Sequence, residues 1–260
     1  MIKHDLTEEN YFSVENSLKY TGSSQIKDFL KCESGALAKL NGEFEEEKSK
    51  AMLVSSYIDE SISETLDSFK TKHPEIFLKN GELKADYKIA EETLTQMRDD
   101  KMFMKYLNGE HQVILVGEIS DVPIKVKIDS FHKGKCIVDL KAIANLDLMW
   151  NEKTRQKENF IDYYDYVLQG ALYQEIVRQN FGTTLPFIIA VATKQKYSRR
   201  ALLEIPQEKL DLKLEFLKQY LPHLQDLKKG TVKPTSCNLC DYCVSKQKCT
   251  QLFYYDKYNY

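Results

Sequence analysis

The chain has 260 residues, 42% hydrophobic and 29% charged, with a formal net charge of −2, enough for one sizeable core or a core with a small appendage. No apolar run approaches the ~20 residues that span a bilayer, and Met1-Ile2-Lys3-His4-Asp5 lacks a secretory apolar segment, so a cytoplasmic protein without membrane contact is expected. The global charge does not advertise nucleic-acid binding, so any such contact must use local cations such as Lys125, Lys127, Lys133, Lys135, Lys141, Lys194, Lys196, Arg199 and Arg200.

Ser23 or Ser24 can cap a helix over 23–41, with Ile26, Phe29, Leu30, Leu37 and Leu40 as its apolar stripe. A second helix is expected over 48–69, with Ala51, Leu53, Val54, Ile58, Ile62 and Leu66 inward. The charged, periodic segment 84–107 reads as a helix lying largely in solvent. The pattern then turns to strands at 112–116, 124–129 and 136–141. A helix over 158–180 follows, and the continuous β-branched run 187–193 predicts a buried central strand. Another strand is expected at 201–205, then a helix over 206–227 that Pro222 bends or ends, and a small tail from about 230. Helices, a strand meander, a helix and a further strand make a mixed α/β layered domain. The single tryptophan, Trp150, is expected in the core.

Chemistry concentrates in Lys125-Val126-Lys127-Ile128-Asp129 and Cys136-Ile137-Val138-Asp139-Leu140-Lys141, two strands joined by the turn Phe131-His132-Lys133-Gly134-Lys135. Strand alternation puts Asp139 and Lys141 on one face, and Asp129 closes the partner strand beside them. Two carboxylates with one ammonium are the minimum apparatus for metal-assisted phosphodiester hydrolysis: the acids hold Mg²⁺ and the lysine steadies water or developing charge. Gln169 and Tyr173, four apart on a helix, share a face that can look back at these strand ends, to hold water or a phosphate. Glu118 is either a further metal acid or a solvated strand end. Asp59 either points into the pocket or is an exposed helix acid, and His132 either contacts DNA or is an exposed turn residue.

Near the end, Cys237, Cys240, Cys243 and Cys249 stand at C-x2-C-x2-C-x5-C spacing. In a reducing compartment such a cluster favours Zn²⁺ or an iron–sulfur cluster over disulfides. The tail is then a local knuckle, or, if Cys32 contributes, a staple between the two ends of the chain. Cys136, inside an apolar strand, reads as an ordinary buried thiol.

With these residues in place, the chain resembles the PD-(D/E)XK nuclease superfamily, and within it the phage and prophage exonucleases of the exodeoxyribonuclease VIII (RecE-like) type. Asp129, Asp139 and Lys141 match the motif's acids and lysine, and Gln169 and Tyr173 match the Q-x-x-x-Y helix of the RecB-like branch. Where that branch carries G-x-x-x-H, this chain has Ser55-Ser56-Tyr57-Ile58-Asp59, so Asp59 takes the histidine position. The run Ser23 to Cys32 is similar to the opening helix of iron–sulfur nucleases, whose cysteine joins three from the C-terminus on a [4Fe–4S] cluster. By that pattern Cys32 pairs with Cys240, Cys243 and Cys249, and Cys237 is left over. The resemblance implies a restriction-endonuclease-like mixed central sheet flanked by helices over 1–230, with a cysteine-rich tail, 231–260, packed on it.

It also implies an exodeoxyribonuclease using Mg²⁺ or Mn²⁺ at Asp129, Asp139, Glu118 and Asp59, resecting linear duplex ends for phage-type recombination. A [4Fe–4S] cluster (or Zn²⁺), a single-strand annealing partner and a homo-oligomer come with it. The rivals are an iron–sulfur nuclease acting on single-stranded or flap DNA, and a DNA-binding scaffold that kept the fold and lost catalysis.

Overall fold

A computed structural model describes residues 1–45, 49–152, 154–249, 252 and 254. Residue 48, where the second expected helix begins, and most of the expected tail beyond 249 lie outside them. The chain opens with helices α1 (Val14–Lys19), α2 (Ser23–Lys31), α3 (Glu33–Leu40), α4 (Lys50–Ile62), α5 (Leu66–Lys72), α6 (Ala85–Asp99) and α7 (Lys101–Leu107). Strands β1 (Glu110–Ile119), β2 (Val122–His132) and β3 (Cys136–Ile143) follow, then a small hairpin of β4 (Met149–Asn151) and β5 (Gln156–Glu158). The remainder is α8 (Phe160–Tyr163), α9 (Tyr166–Phe181), β6 (Phe187–Thr193), β7 (Arg200–Glu204), α10 (Gln207–Lys229) and α11 (Asp241–Ser245).

The main sheet has five strands in the order β1-β2-β3-β6-β7. All neighbours are antiparallel except β3 and β6, which run parallel because α9 carries the chain back between them. One face packs Val126, Ile128, Ile137 and Ile189 against Ile26 and Phe29 of α2, Leu168 and Leu172 of α9 and Leu217 and Leu221 of α10. The other packs Val138, Leu140, Ala190 and Ala192 against Tyr57 and Ile58 of α4, Leu94 and Met97 of α6 and Leu107 of α7. The expectation of a solvated helix over 84–107 is therefore corrected: its stripe of Tyr87, Ala90, Leu94 and Met97 covers the second sheet face. Strand β6 is buried along its whole length, as a central strand covered on both faces must be. Among the described residues no helix is long and apolar enough to cross a membrane.

Several expected helices are broken in two. The segment 23–41 divides at Cys32, whose extended backbone (φ −163°, ψ 111°) ends α2 and starts α3, its Sγ accepting the Gly35 N–H at 3.3 Å. Asp165, in the left-handed region (φ 48°), separates α8 from α9, and its carboxylate accepts the Leu168 N–H at 3.3 Å as an N-cap. Pro222 neither bends α10 to an end nor leaves its carbonyl partner bare. The Lys218 carbonyl that a residue-222 N–H would have met accepts the Ser120 hydroxyl at 2.9 Å instead, and the helix runs on to Lys229. The first part of the tail lies against α3, where the Glu33 carboxylate accepts the N–H and the hydroxyl of Thr235, both at 2.8 Å.

Candidate active site and thiol cluster

The site is built where β2 and β3 part. Their ladder joins His132 to Cys136, Phe131 to Ile137 and Ser130 to Val138 and stops there. The next rung would be Asp129 opposite Asp139. Instead the Asp129 carboxylate lies in the seam, its Oδ2 accepting the Leu140 N–H at 2.9 Å in place of a backbone carbonyl. Opposite this point on β1, Gln112 adopts φ 53°, a local distortion that accompanies the divergence.

Asp139, 1% exposed, points toward α9 as alternation from Ile137 requires. Gln169 Nε2 donates to its Oδ1 at 2.6 Å, and Lys141 Nζ forms an ion pair with its Oδ2 at 2.6 Å. Gln169 therefore secures a carboxylate rather than water or a phosphate, as sequence reasoning had it. Tyr173 is hydrogen-bonded to Gln169, and burial drives its hydroxyl well above the usual phenol range, keeping it neutral. It shares a cavity of about 230 Å³ with Asp129, Lys127, Tyr11 and Phe12.

Asp59 approaches the same seam from α4, sharing a narrow crevice with Asp129 and Leu140. Its Oδ1 is inaccessible and has no hydrogen-bond partner among the described residues. Burial, then the Asp129 charge, pushes it well above the usual carboxylate range. Burial, then Asp139, pushes Asp129 up to about 7, while Lys141, the Leu140 N–H and Lys127 pull against it. Burial alone would lower Lys141, but Asp139 and Asp129 outweigh it and raise the ammonium above its ordinary value. Three buried carboxylates face one seam, one oxygen of them orphaned, and offer the hard oxygens that Mg²⁺ or Mn²⁺ takes. Among the described residues, only the four thiols of Cys32, Cys237, Cys240 and Cys243 already stand within 4.8 Å of one another as a ligand group.

An unfolded aspartate loses its proton near ~4, whereas folded Asp129 keeps its own to about 7. Between those values the folded chain binds more protons, so Asp129 destabilises the metal-free protein increasingly as pH rises through that window, and fully above it. The melting temperature of Asp129→Asn in EDTA should therefore exceed that of the wild type by a margin that widens from about pH 5 to about pH 8. Magnesium should close the margin at the upper end. A margin constant with pH would refute the crowding.

Other expected residues fall elsewhere. Glu118 is exposed and opposes Pro123, six residues along β2 from Asp129, or about 20 Å at strand rise, so it is not among the gathered acids. Trp150 is 50% exposed on the β4–β5 hairpin rather than in the core. His132 is half-buried, its Nε2 lying 2.8 Å from the Tyr106 carbonyl. Lys125 is buried and donates to the Tyr11 carbonyl and the Ser17 hydroxyl, which makes it a brace for the N-terminal segment rather than a DNA contact.

Two site residues escaped the sequence reading. Lys141 Nζ and Lys27 Nζ each lie 4.8 Å from the ring centroid of Tyr166. Burial, then the nearby Lys141 charge, brings Lys27 down to about 8. Tyr166 precedes Gln169 by three and Tyr173 by seven, a helical-face spacing that could have revealed it.

Away from the acids, the Sγ atoms of Cys32, Cys237, Cys240 and Cys243 lie within 4.8 Å of one another. Cys32 and Cys243 are 3.5 Å apart, and Cys237 and Cys243 4.0 Å. The N–H groups of Leu239 and Cys240 hold the Cys237 thiol down at about 6. Cys249 stands exposed outside this group, so the expected assignment is reversed at two positions: Cys237 is in and Cys249 is out. The extended backbone at Cys32 is what turns its thiol toward the tail. Four convergent thiols fit a soft metal.

A family model described as a PDDEXK-like domain of unknown function (DUF3799) matches residues 22–246. The chain belongs to this family. The DUF3799 chain is also similar to a solved structure, a "Putative exonuclease" from Eubacterium rectale, at 41% identity and a TM-score of 0.91, with 97% of each chain covered. No curated protein matches it. The five-stranded mixed sheet between two helical layers is the PD-(D/E)XK nuclease fold, and the DUF3799 match takes in Asp59, Asp129, Asp139, Lys141, Gln169 and the four gathered cysteines.

Proposed function

We propose that this chain is a Mg²⁺- or Mn²⁺-dependent DNA exonuclease that works from linear duplex ends in the RecE-like manner, leaving single strands for phage-type recombination. The observation that carries this reading is Asp139, held by Lys141 and Gln169 at 2.6 Å each, with Asp129 and Asp59 converging on the same seam. Asp129 and Asp139, helped by Asp59, would hold the cation, which when bound supplies Lewis acidity and a more acidic water. Lys141 orients the attacking water and faces the charge that grows on the phosphoryl oxygens. Gln169 fixes the Asp139 rotamer, and Tyr173 donates to the substrate backbone from the small cavity. The complete acid–lysine set favours an enzyme over a binding scaffold. Likeness to a protein described as a "Putative exonuclease" favours attack from ends. An annealing partner and a homo-oligomer join this reading through the family resemblance.

The four gathered thiols would hold one tetrahedral ion of the zinc type. With Zn–S bonds of about 2.3 Å, tetrahedral sulfurs stand ~3.8 Å apart; the four here lie within 4.8 Å of one another, Cys32 and Cys243 at 3.5 Å and Cys237 and Cys243 at 4.0 Å. A [4Fe–4S] cluster spreads its thiolates over four irons and needs a wider set than one confined within 4.8 Å.

A magnesium-supplemented digest of linear duplex, labelled separately at each 5′ and 3′ end, should release label and shorten the duplex progressively. A covalently closed circle should survive. Cleavage of the circle, or no metal-dependent loss of the linear form, would overturn the exonuclease reading.

A further inference from the structure

Beside the catalytic acids a groove of about 1190 Å³ runs between α2, the β4–β5 hairpin, α8 and α10. Lys27 stands at its catalytic end, separated from Lys141 by the Tyr166 ring. Its half-buried ammonium touches that ring and has no hydrogen-bond acceptor or ion-pair partner among the described residues. Farther out the walls present Trp150 at 50% exposure, Tyr164 at 44%, and Tyr163 and Phe216 at 39% each.

Apart from exposed Glu152, the acids of the groove are already answered from within. Asp165 pairs with Lys213 at 2.9 Å, Asp28 with Lys39 at 3.0 Å, and Asp162 accepts Asn159 Nδ2 at 2.7 Å. Glu158 accepts Asn151 at 2.7 Å and Thr154 at 2.6 Å. What remains open among the described residues is a set of aromatic faces with two unanswered cations, Lys27 at the inner end and exposed Lys31 on the same helix. A continuous phosphate track would demand a lining rich in unpaired lysine and arginine. A duplex also hides its base faces inside the stack. A single strand can lay bases on open rings and still offer a phosphate to Lys27.

We propose that this groove binds a single-stranded DNA segment leading into the catalytic acids, with Lys27 contacting a phosphate oxygen and Trp150 stacking on a base. The inference deepens the nuclease reading and rests on it for the direction of the strand. Trp150 is the only tryptophan of the chain, so its fluorescence reports on the groove alone.

The test titrates the full-length protein, in EDTA to prevent hydrolysis, with short oligo(dT) and with a closed-end hairpin duplex. Oligo(dT) should quench Trp150 saturably, and the hairpin should do so weakly or not at all. By anisotropy of a labelled oligo(dT), Trp150→Ala should weaken binding roughly 5- to 150-fold. Lys27→Ala should weaken it about ten-fold, with Lys27→Arg restoring most of the loss. Circular-dichroism melting checks that each variant is folded.

Oligo(dT) that binds without altering the fluorescence, or variants that bind it like the wild type, would overturn the proposal. So would equal quenching by the hairpin duplex, or no oligo(dT) binding at all. Quenching by a protein that never hydrolyses DNA with magnesium would leave the groove standing and remove the nuclease reading. Hydrolysis with a silent Trp150 would do the reverse.

Discussion

Lys141→Ala is expected to slow hydrolysis of linear duplex by about 10²–10⁴-fold while leaving end binding within a few-fold of the wild type. The ammonium sits 2.6 Å from Asp139 with its side chain 18% exposed, and the two nearby aspartates keep it protonated across any practical assay range. Its loss removes the one cation that faces both the metal acids and the incoming phosphate from β3. Binding along the substrate relies on other groups, so affinity and rate should separate. Lys141→Arg should rescue poorly, since a guanidinium would fork onto the Asp139 carboxylate and lie flat on the Tyr166 ring, spreading the charge that the compact ammonium presents at one point. The variant should also lose about 3–5 kcal/mol of metal-free stability, because a buried carboxylate is left with Gln169 alone. Single-turnover digestion with end-binding anisotropy decides the matter: a variant that cuts at the wild-type rate would remove Lys141 from the chemistry.

The second large effect is expected at the thiols. Cys237→Ser should empty the metal site and lower the melting temperature by roughly 10 °C or more, whereas Cys249→Ser should change neither. Cys32 and Cys243 are 211 residues apart, so a metal bridge between them closes most of the chain into a loop. A covalent link of that span restricts the unfolded chain by about 5 kcal/mol, and in a domain of this size each kcal/mol moves the midpoint by roughly 2–4 °C. Elemental analysis should find about one zinc per chain in the wild type and in Cys249→Ser. A brown protein with about four irons per chain, retained in Cys237→Ser and lost in Cys249→Ser, would restore the spacing-based assignment and defeat the geometric one.

The hairpin that carries the candidate acids was readable because strand alternation is short-range: the register of Asp139-Leu140-Lys141 follows from period two alone. The Gln169 and Tyr173 face was readable for the same reason on a helix. What the sequence hid depends on contacts between distant segments. The segment 84–107 looks solvated because its charges are frequent, yet only the far face of the sheet reveals where Leu94 and Met97 go. Cys32 was legible as a partner for the tail, but the spacing of the tail cysteines could not show that Cys237 rather than Cys249 folds back beside it. Pro222 reads as a helix end until Ser120, on the β1–β2 turn, supplies the missing donor. Tyr166 shows only in its helical spacing from Gln169 and Tyr173, and Lys27 carries no local sign of its role, because the cation–π pairs between them and with Lys141 join α2, α9 and β3.

The Leu140 amide finds its acceptor on the side chain of Asp129, so the sheet and the chemistry lean on a single carboxylate. This couples two selective pressures that are usually separate. Copies of the gene that drift into inactivity can discard Asp59, whose buried oxygen has no partner among the described residues, with modest harm to the fold, but at position 129 they must keep an oxygen. Decayed descendants should therefore show asparagine there more often than alanine or valine, and an amide at 129 beside an altered 59 would mark a lineage that has abandoned cutting while keeping its architecture.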